Sequence, residues 1–344
     1  MKSNATSPIS RISWIDICRG IAILFVMYAH MLPSDSYRYI FYAFHMPLFF
    51  FLSGMVFKEQ FKSFWTLIVK SFKTILIPYL LFAALTYLFW FIKEPETHNT
   101  MQAFIYQLQG IAFGNGNNGY LYFNVALWFL PCLFITKIIF AALTRISHSN
   151  KILFSLLIVC SVIGYILSTY FNTVKLLFGL ETAFSAIVFF GAGFLVKRNE
   201  QILKKLQNRG VLYFIAGLAI TIILATINYN IYGNQIDMRV NRINNYFLFY
   251  AAAFSGIFCW IACSIIIGKN RLLEYIGKHT LILFVWHYLL FSYLRDFSAV
   301  VFAADILKAM QFLMPAIITA ISVILILSGN ILIKRMRVRI TPNK

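Results

Sequence analysis

The chain is predicted to be an all-α, polytopic integral membrane protein of about ten transmembrane helices with both termini cytoplasmic, and three observations lead there. First, 60% of its 344 residues are hydrophobic and 12% charged, with a mean hydropathy of +0.77, which is too apolar for a soluble globule. Second, the apolar residues gather into runs long enough to cross the hydrocarbon core, near 14–32, 39–57, 74–92, 124–143, 152–170, 176–196, 211–229, 245–267, 280–294 and 311–333. Third, about 21 of the 30 Lys and Arg fall in the N-terminus, the segments near 58–73, 144–151, 197–210 and 268–279, and the tail from Lys334. About seven lie on the opposite side, leaving Arg19 and Lys137 within spans. An even number of spans puts both ends on one side, and the excess of positive charge makes that side cytoplasmic.

These runs leave no room for a separate soluble domain, so residues 1–344 read as one transmembrane domain. The net charge of +19 would suggest nucleic acid in a soluble protein, but here it reports topology, and no nucleic-acid partner is expected. Cys18, Cys132, Cys160, Cys259 and Cys263 all lie inside apolar runs without metal-site or disulfide spacing, so they read as packing residues and no metal is expected. The polar start, MKSNATSPISRIS, leads into an apolar run without a small-residue cleavage site, and that run is expected to be an uncleaved first span.

The first two spans carry the chemistry. The stretch Trp14 to Phe57 is apolar enough for lipid yet holds Asp16, Arg19, His30 and His45, and ionisable groups at membrane depth make a functional site the default hypothesis. Arg19 and His30 are eleven residues apart, which on a helix is about three turns and roughly 16 Å along one face. Arg keeps its proton and His exchanges one near neutral pH, so the pair can serve as an anion anchor and a general base. The residues equally allow Arg19 to pair with Asp16 one turn away while His30 caps the outer end of the helix.

An Arg-Gly pair, a His at the far end of the same helix and then FHMPLFFFLSG together resemble the membrane acyltransferase-3 family, and more narrowly its branch related to fucose 4-O-acetylases. The resemblance is carried by Asp16, Arg19, Gly20, His30, Phe44, His45, Met46, Pro47, Ser53 and Gly54. It implies a membrane O-acyltransferase, an O-acetyltransferase of the cell membrane (the inner membrane of a bacterium), that modifies polysaccharide. Acyl-CoA, in particular acetyl-CoA, would be a co-substrate rather than a permanently bound cofactor, and a cell-surface or lipid-linked glycan would be the acceptor.

The later elements follow in order. KEQFKSFWTLIVKSFK, residues 58–73, mixes lysines with aromatic rings and is expected along the inner interface, in contact with membrane lipids. Lys70 and Lys73, one turn apart before Pro78, are similar to a basic pair of the family and would hold donor phosphates, or else anchor lipid headgroups. The segment 93–124, with its GNGNNGYLYFN, is expected to be irregular and to cap the outer mouth. Trp128 and Pro131 in ALWFLPCLF resemble a recurring family stretch. Glu181 is a membrane-depth acid that either lies at the interface or orients a histidine or an acceptor hydroxyl. NYNIYGNQIDMRVNRINNY brings together Asn228, Asp237, Arg239 and Asn245, amides and charges suited to sugar hydroxyls, and is similar to elements of the fucose-acetylase branch. EYIGKHTLILFVWHYLLF resembles the family's ninth span and supplies His287, which is either structural or part of the site. HExxH, P-loop and serine-elbow motifs are missing.

The expected mechanism uses His30 as general base, His45 to orient it or to stabilise the oxyanion, and Arg19, Lys70 and Lys73 for the donor. Asp16, Trp128, Glu181, Asn228, Asp237 and His287 bind the acceptor or support the site. The competing reading is a transporter or flippase for a glycolipid or small anion, which buried charge and the prolines at 47, 78 and 131 would also suit.

Overall fold

The computed structural model describes residues 12–33, 36–59, 63–94, 100–116 and 119–340. Residues 1–11, 34–35, 60–62, 95–99, 117–118 and 341–344, which take in the polar N-terminal tail and parts of the 58–73 and 93–124 segments, lie outside the described residues. The described residues are helical and contain no β-strand; one antiparallel bridge joins Asp237 and Arg242.

Helices α1 (Ser13–Met31) and α2 (Arg38–Met55) form an antiparallel pair. Helix α3 (Phe64–Ser71) runs through a π turn at Phe72–Leu76 into α4 (Ile77–Lys93). Pro78, in the first turn of α4, has no N–H to offer the preceding turn, and the widened turn sits just ahead of it. Ser63 caps α3 by accepting from the Thr66 amide, so residues 64–73 join the following span as one helix. The segment 93–124 also differs from expectation, because it contains a helix, α5 (Met101–Phe113). Thr100 caps its N-terminus, and Gly114, at φ 64°, ends it in the left-handed conformation.

A 3₁₀ segment (Tyr122–Trp128) then leads into α6 (Phe129–Ile146), followed by α7 (Asn150–Thr169), α8 (Leu180–Arg198) and α9 (Glu200–Asn208). The remainder is α10 (Gly210–Tyr232), α11 (Tyr246–Ile267), α12 (Arg271–Lys278), α13 (Thr280–Val301), α14 (Ala304–Ala309) and α15 (Leu313–Ile340).

Eight helices among the described residues are long and apolar enough to cross a membrane. The expected spans near 39–57 and 280–294 correspond to α2 and α13, which have the length but fall outside those eight. Their apolar character is diluted by Arg38, His45 and Pro47 in α2 and by His287, Arg295 and Asp296 in α13. Most of these polar groups line or adjoin one cavity, described below.

Helices α1, α2, α8 and α11 form the centre of the bundle, with α6 and α7 against α8, α10 against α11, and α13 and α15 against α1. Lipid offers the chain no hydrophobic gain for burying one apolar face against another, so close packing has to hold the helices together. The FFFLSG run of α2 shows how. Phe50 and Phe51 are fully buried, Phe50 edge-on to Phe129 at 5.0 Å and Phe51 edge-on to Phe258 at 6.0 Å. One turn on, Gly54 lets α8 come so near that a Cβ there would lie 1.8 Å from the Phe190 carbonyl oxygen, and Gly193 faces the Phe51 carbonyl in the same way at 2.0 Å. At the same end of the helix pair, Gly20 and Gly277 dock α12 on α1, where a Cβ on Gly277 would stand 1.8 Å from the Asp16 carbonyl oxygen.

These contacts fix the tilt and rotation of α1 and α2. Gly54→Leu is expected to lower stability by about 3 kcal/mol or to block folding, since the obstacle is rigid backbone. Gly329→Ala, where nothing lies within 4 Å, should be neutral or stabilising by up to about 1 kcal/mol. Thermal unfolding of the two variants in detergent, followed by fluorescence, measures the contrast; equal midpoints would mean that the close approach at Gly54 does not hold α2 to α8.

Candidate active site

The C-terminal end of α1 meets the N-terminal half of α2 and the middle of α13, and three imidazoles come together there. The His30 ring lies 5.3 Å from that of His287, 6.2 Å from Tyr42 and 6.1 Å from Tyr288, while Tyr42 is edge-on to His45 at 4.9 Å. Helical spacing explains the grouping. Tyr42 and His45 are three residues apart on one face of α2, and His287 and Tyr288 adjoin on α13.

The histidines differ in how their nitrogens are engaged. His45 Nδ1 lies 2.5 Å from the Phe41 carbonyl oxygen and His287 Nδ1 lies 3.2 Å from that of Leu283, each one turn back in its own helix. A carbonyl only accepts, so Nδ1 must carry the hydrogen, and in the neutral ring the lone pair is on Nε2. The Nε2 of His287 is buried and has no hydrogen-bond partner among the described residues. The His30 ring makes no hydrogen bond among the described residues and borders open space.

That space has two parts. A pit of about 30 Å³, room for about one water, is lined by His30, Tyr42, His45, Trp128, Asp237 and Arg239. A chamber of about 430 Å³ continues from the same His30, Tyr42, Asp237 and Arg239 and extends to Trp90, Lys93 and Arg295. Its size falls within the range usual for small-molecule sites.

Two irregular segments close the walls. In the 3₁₀ segment, Asn124 departs from helical backbone and its Nδ2 donates to the Val285 carbonyl at 2.8 Å, tying the segment to α13 close to His287. In the segment between α10 and α11, Asp237 accepts from the Arg239 amide at 3.0 Å and from Arg239 Nη2 at 3.1 Å. Arg239 Nη1 donates to the Gly116 carbonyl at 2.6 Å, which latches this segment onto the end of the α5 segment. The absence of a side chain at Gly116 matters here, since a Cβ would sit 2.9 Å from the Arg239 side chain.

The structure thus brings His30, His45, Trp128 and Asp237 to one cavity, with His287 in ring contact behind His30. Arg19 is elsewhere, with its Nη1 3.7 Å from the buried Asp16 carboxylate. It lines neither part of the cavity at His30, and nor do the exposed Lys70 and Lys73.

Glu181 also stands apart from the histidines. It accepts from Asn115 Nδ2 and from the Leu176 amide, both at 3.0 Å, and so pins two connecting segments. Nearby, burial lowers the ammonium of Lys175 from its ordinary range, an effect opposed by Glu181, and its Nζ donates to Asn172 and Val240 carbonyls. Asn228 exchanges hydrogen bonds with the backbone of Asn245 at 3.2 and 3.3 Å and closes the segment that carries Asp237.

Sequence reasoning missed Arg38, Tyr42, Asn124 and Tyr288 as site residues. Tyr42 was accessible by helical spacing, one turn before His45. Asn124 and Tyr288 needed the three-dimensional meeting of the 3₁₀ segment with α13.

Compared with known proteins, the acyltransferase-3 family model, described as an acyltransferase domain, matches residues 12–335. No curated protein and no solved structure matches the chain. The match runs from the residue before α1 into α15 and takes in every element that walls the cavity, so the chain belongs to the acyltransferase-3 family.

Proposed function

We propose that this membrane acyltransferase is an O-acetyltransferase that moves an acetyl group from cytosolic acetyl-CoA to a sugar hydroxyl of a cell-surface or lipid-linked glycan. The observation that carries the reading is the convergence of His30 and His45 on a cavity with room for an acceptor, with His287 against the His30 ring. An alcohol attacks a thioester well only if its proton leaves as the new bond forms, and a placed imidazole supplies a factor of about 100 to 10,000 by taking it.

His30 is that base. It takes the hydroxyl proton as the oxygen attacks the acyl carbonyl, the carbon–sulfur bond then breaks, and the imidazolium returns the proton to the thiolate. The products are the acyl ester and free CoA thiol. Tyr288, Tyr42 and His287 surround the His30 ring, with His287 positioning it. His45 presents an acceptor nitrogen in its neutral form, which suits it to orient the incoming hydroxyl better than to stabilise an oxyanion.

Trp128 and Asp237 line the acceptor side, while Glu181 and Asn228 hold the connecting segments in place. Arg19, with Asp16 beside it, and Lys70 and Lys73 receive the anionic donor at the opposite end of α1, which lies in the cytoplasm if α2 and α13 complete ten spans. The protein would then be a multi-pass protein of the cell membrane, the inner membrane in a bacterium, passing acyl groups outward.

The test uses the protein reconstituted in vesicles with labelled acetyl-CoA and a membrane extract as acceptor. His30→Ala is expected to reduce acceptor-dependent release of CoA thiol by about 100-fold or more while leaving the melting temperature within a few degrees. Undiminished release would remove His30 from the chemistry. No thiol release by the unaltered protein, with transport of label or glycolipid instead, would favour a transporter. Arg19→Gln should raise the KM for acetyl-CoA by roughly tenfold or more with a smaller change in kcat, the loss of one charge-assisted contact; an unchanged KM would place the donor elsewhere.

A further inference from the structure

The chamber outside His30 is unevenly charged. Its walls carry four permanent or near-permanent cations, Arg38, Lys93, Arg239 and Arg295, against two carboxylates, Glu94 and Asp237. Partners within the protein account for part of this. Arg239 is held by Asp237 and the Gly116 carbonyl, and Lys93 by Asp296 at 2.6 Å and the Ser292 hydroxyl. Glu94 is turned toward Trp90, whose Nε1 donates to it at 3.1 Å.

Arg38 and Arg295 remain. Arg38 lies over the Tyr42 ring at 5.4 Å, and its Nε donates to Gln235 Oε1 at 2.9 Å. That bond fixes the plane of the guanidinium and leaves its two Nη groups with no acceptor among the described residues. Arg295, exposed at the rim, has no carboxylate partner among the described residues. Two planar forks of N–H donors therefore face one chamber, one of them stacked on the Tyr42 ring that also touches His30 and His45.

Guanidinium forks set in this way match the oxygens of a carboxylate or phosphate, and a neutral sugar would leave them unmatched. We infer that the acceptor is an anionic glycan, bearing a carboxylate or phosphate that Arg38 and Arg295 grip while a neighbouring hydroxyl lies at His30. The inference rests on the acyl-transfer reading for the role of His30, while the chamber's preference for an oxyanion stands on its own.

Binding to the protein in lipid nanodiscs, without turnover, tests it. The probes are a galacturonic acid trimer, a galactose trimer and galactose 1-phosphate beside galactose, each titrated calorimetrically at low and high salt. At least one anionic probe should bind about tenfold or more tightly than its neutral counterpart, with the advantage shrinking as salt rises. Which one does so separates a uronate from a glycosyl phosphate as the source of the oxyanion. Arg295→Gln, at an exposed position that folding tolerates, and Arg38→Gln should each reduce the advantage about tenfold.

Equal binding of charged and neutral probes, or an advantage untouched by both substitutions, would overturn the inference. So would displacement of the bound anion by acetyl-CoA, which would make the chamber the donor's. Release of CoA thiol in vesicles is read separately, so failure here leaves the acyl-transfer reading to its own test.

Discussion

Three imidazole rings gathered where α1, α2 and α13 meet, His30 against His287 and His45 joined to them through Tyr42, are the arrangement on which everything else depends. Two of them, His45 and His287, donate from Nδ1 to their own helix backbones, which fixes their tautomers and aims their free nitrogens away from those helices. The third, His30, borders both parts of the cavity. A polar cluster of this kind is costly in lipid unless it is walled in by protein. The walls are irregular segments, the 3₁₀ turn at Tyr122–Trp128 and the connection through Asp237, whose Asn124 and Arg239 side chains donate to the Val285 and Gly116 carbonyls, while Arg242 and Asn244 satisfy the Gln235 and Asn234 carbonyls of the second segment.

The placement of the rings traces back to glycines some distance away. Gly20 and Gly277 bring α12 onto the start of α1, and Gly54 and Gly193 bring α8 onto the end of α2. Both approaches lie toward the end of the helix pair remote from the histidines. A small change in either would swing His30 and His45 through a lever of several turns. The Arg-Gly pair of α1 thus joins a charge with the packing contact that sets its helix, and the FFFLSG run of α2 joins ring packing with close approach.

Much of this was legible in the chain itself. Long apolar runs, basic connecting segments and the FHMPLFFFLSG stretch specify a helical membrane protein of the acyltransferase-3 family, and the family match extends over residues 12–335. Of the residues the structure brings to the cavity, His30 and His45 were conspicuous as polar groups in apolar runs, Asp237 stood among amides and charges in a connecting segment, and Trp128 was marked by its resemblance to a family stretch. The aligned Arg19 and His30 show the limit of such reasoning. Helical periodicity puts them on one stripe, yet Arg19 is drawn to Asp16 one turn away, and spacing along a helix says nothing about which neighbour fills the stripe between. Helix α5 was hidden because Gly and Asn dominate the impression of its segment, although Thr100 and Gly114 mark its two ends. Glu181 stood out as a buried acid, but its partners, Asn115 and the Leu176 amide, come from segments that no local pattern links to it.

The central claim is that the His30 imidazole takes the proton from the acceptor hydroxyl during acyl transfer. Chemical rescue measures this most directly. In vesicles from cells making His30→Gly, labelled acetyl transfer from acetyl-CoA should be nearly lost and should return, saturably and with rising pH, when free imidazole is added, since only the neutral ring is a base. Transfer by His30→Gly at the rate of the unaltered protein, or a loss that imidazole leaves untouched while the variant remains folded, would contradict the account.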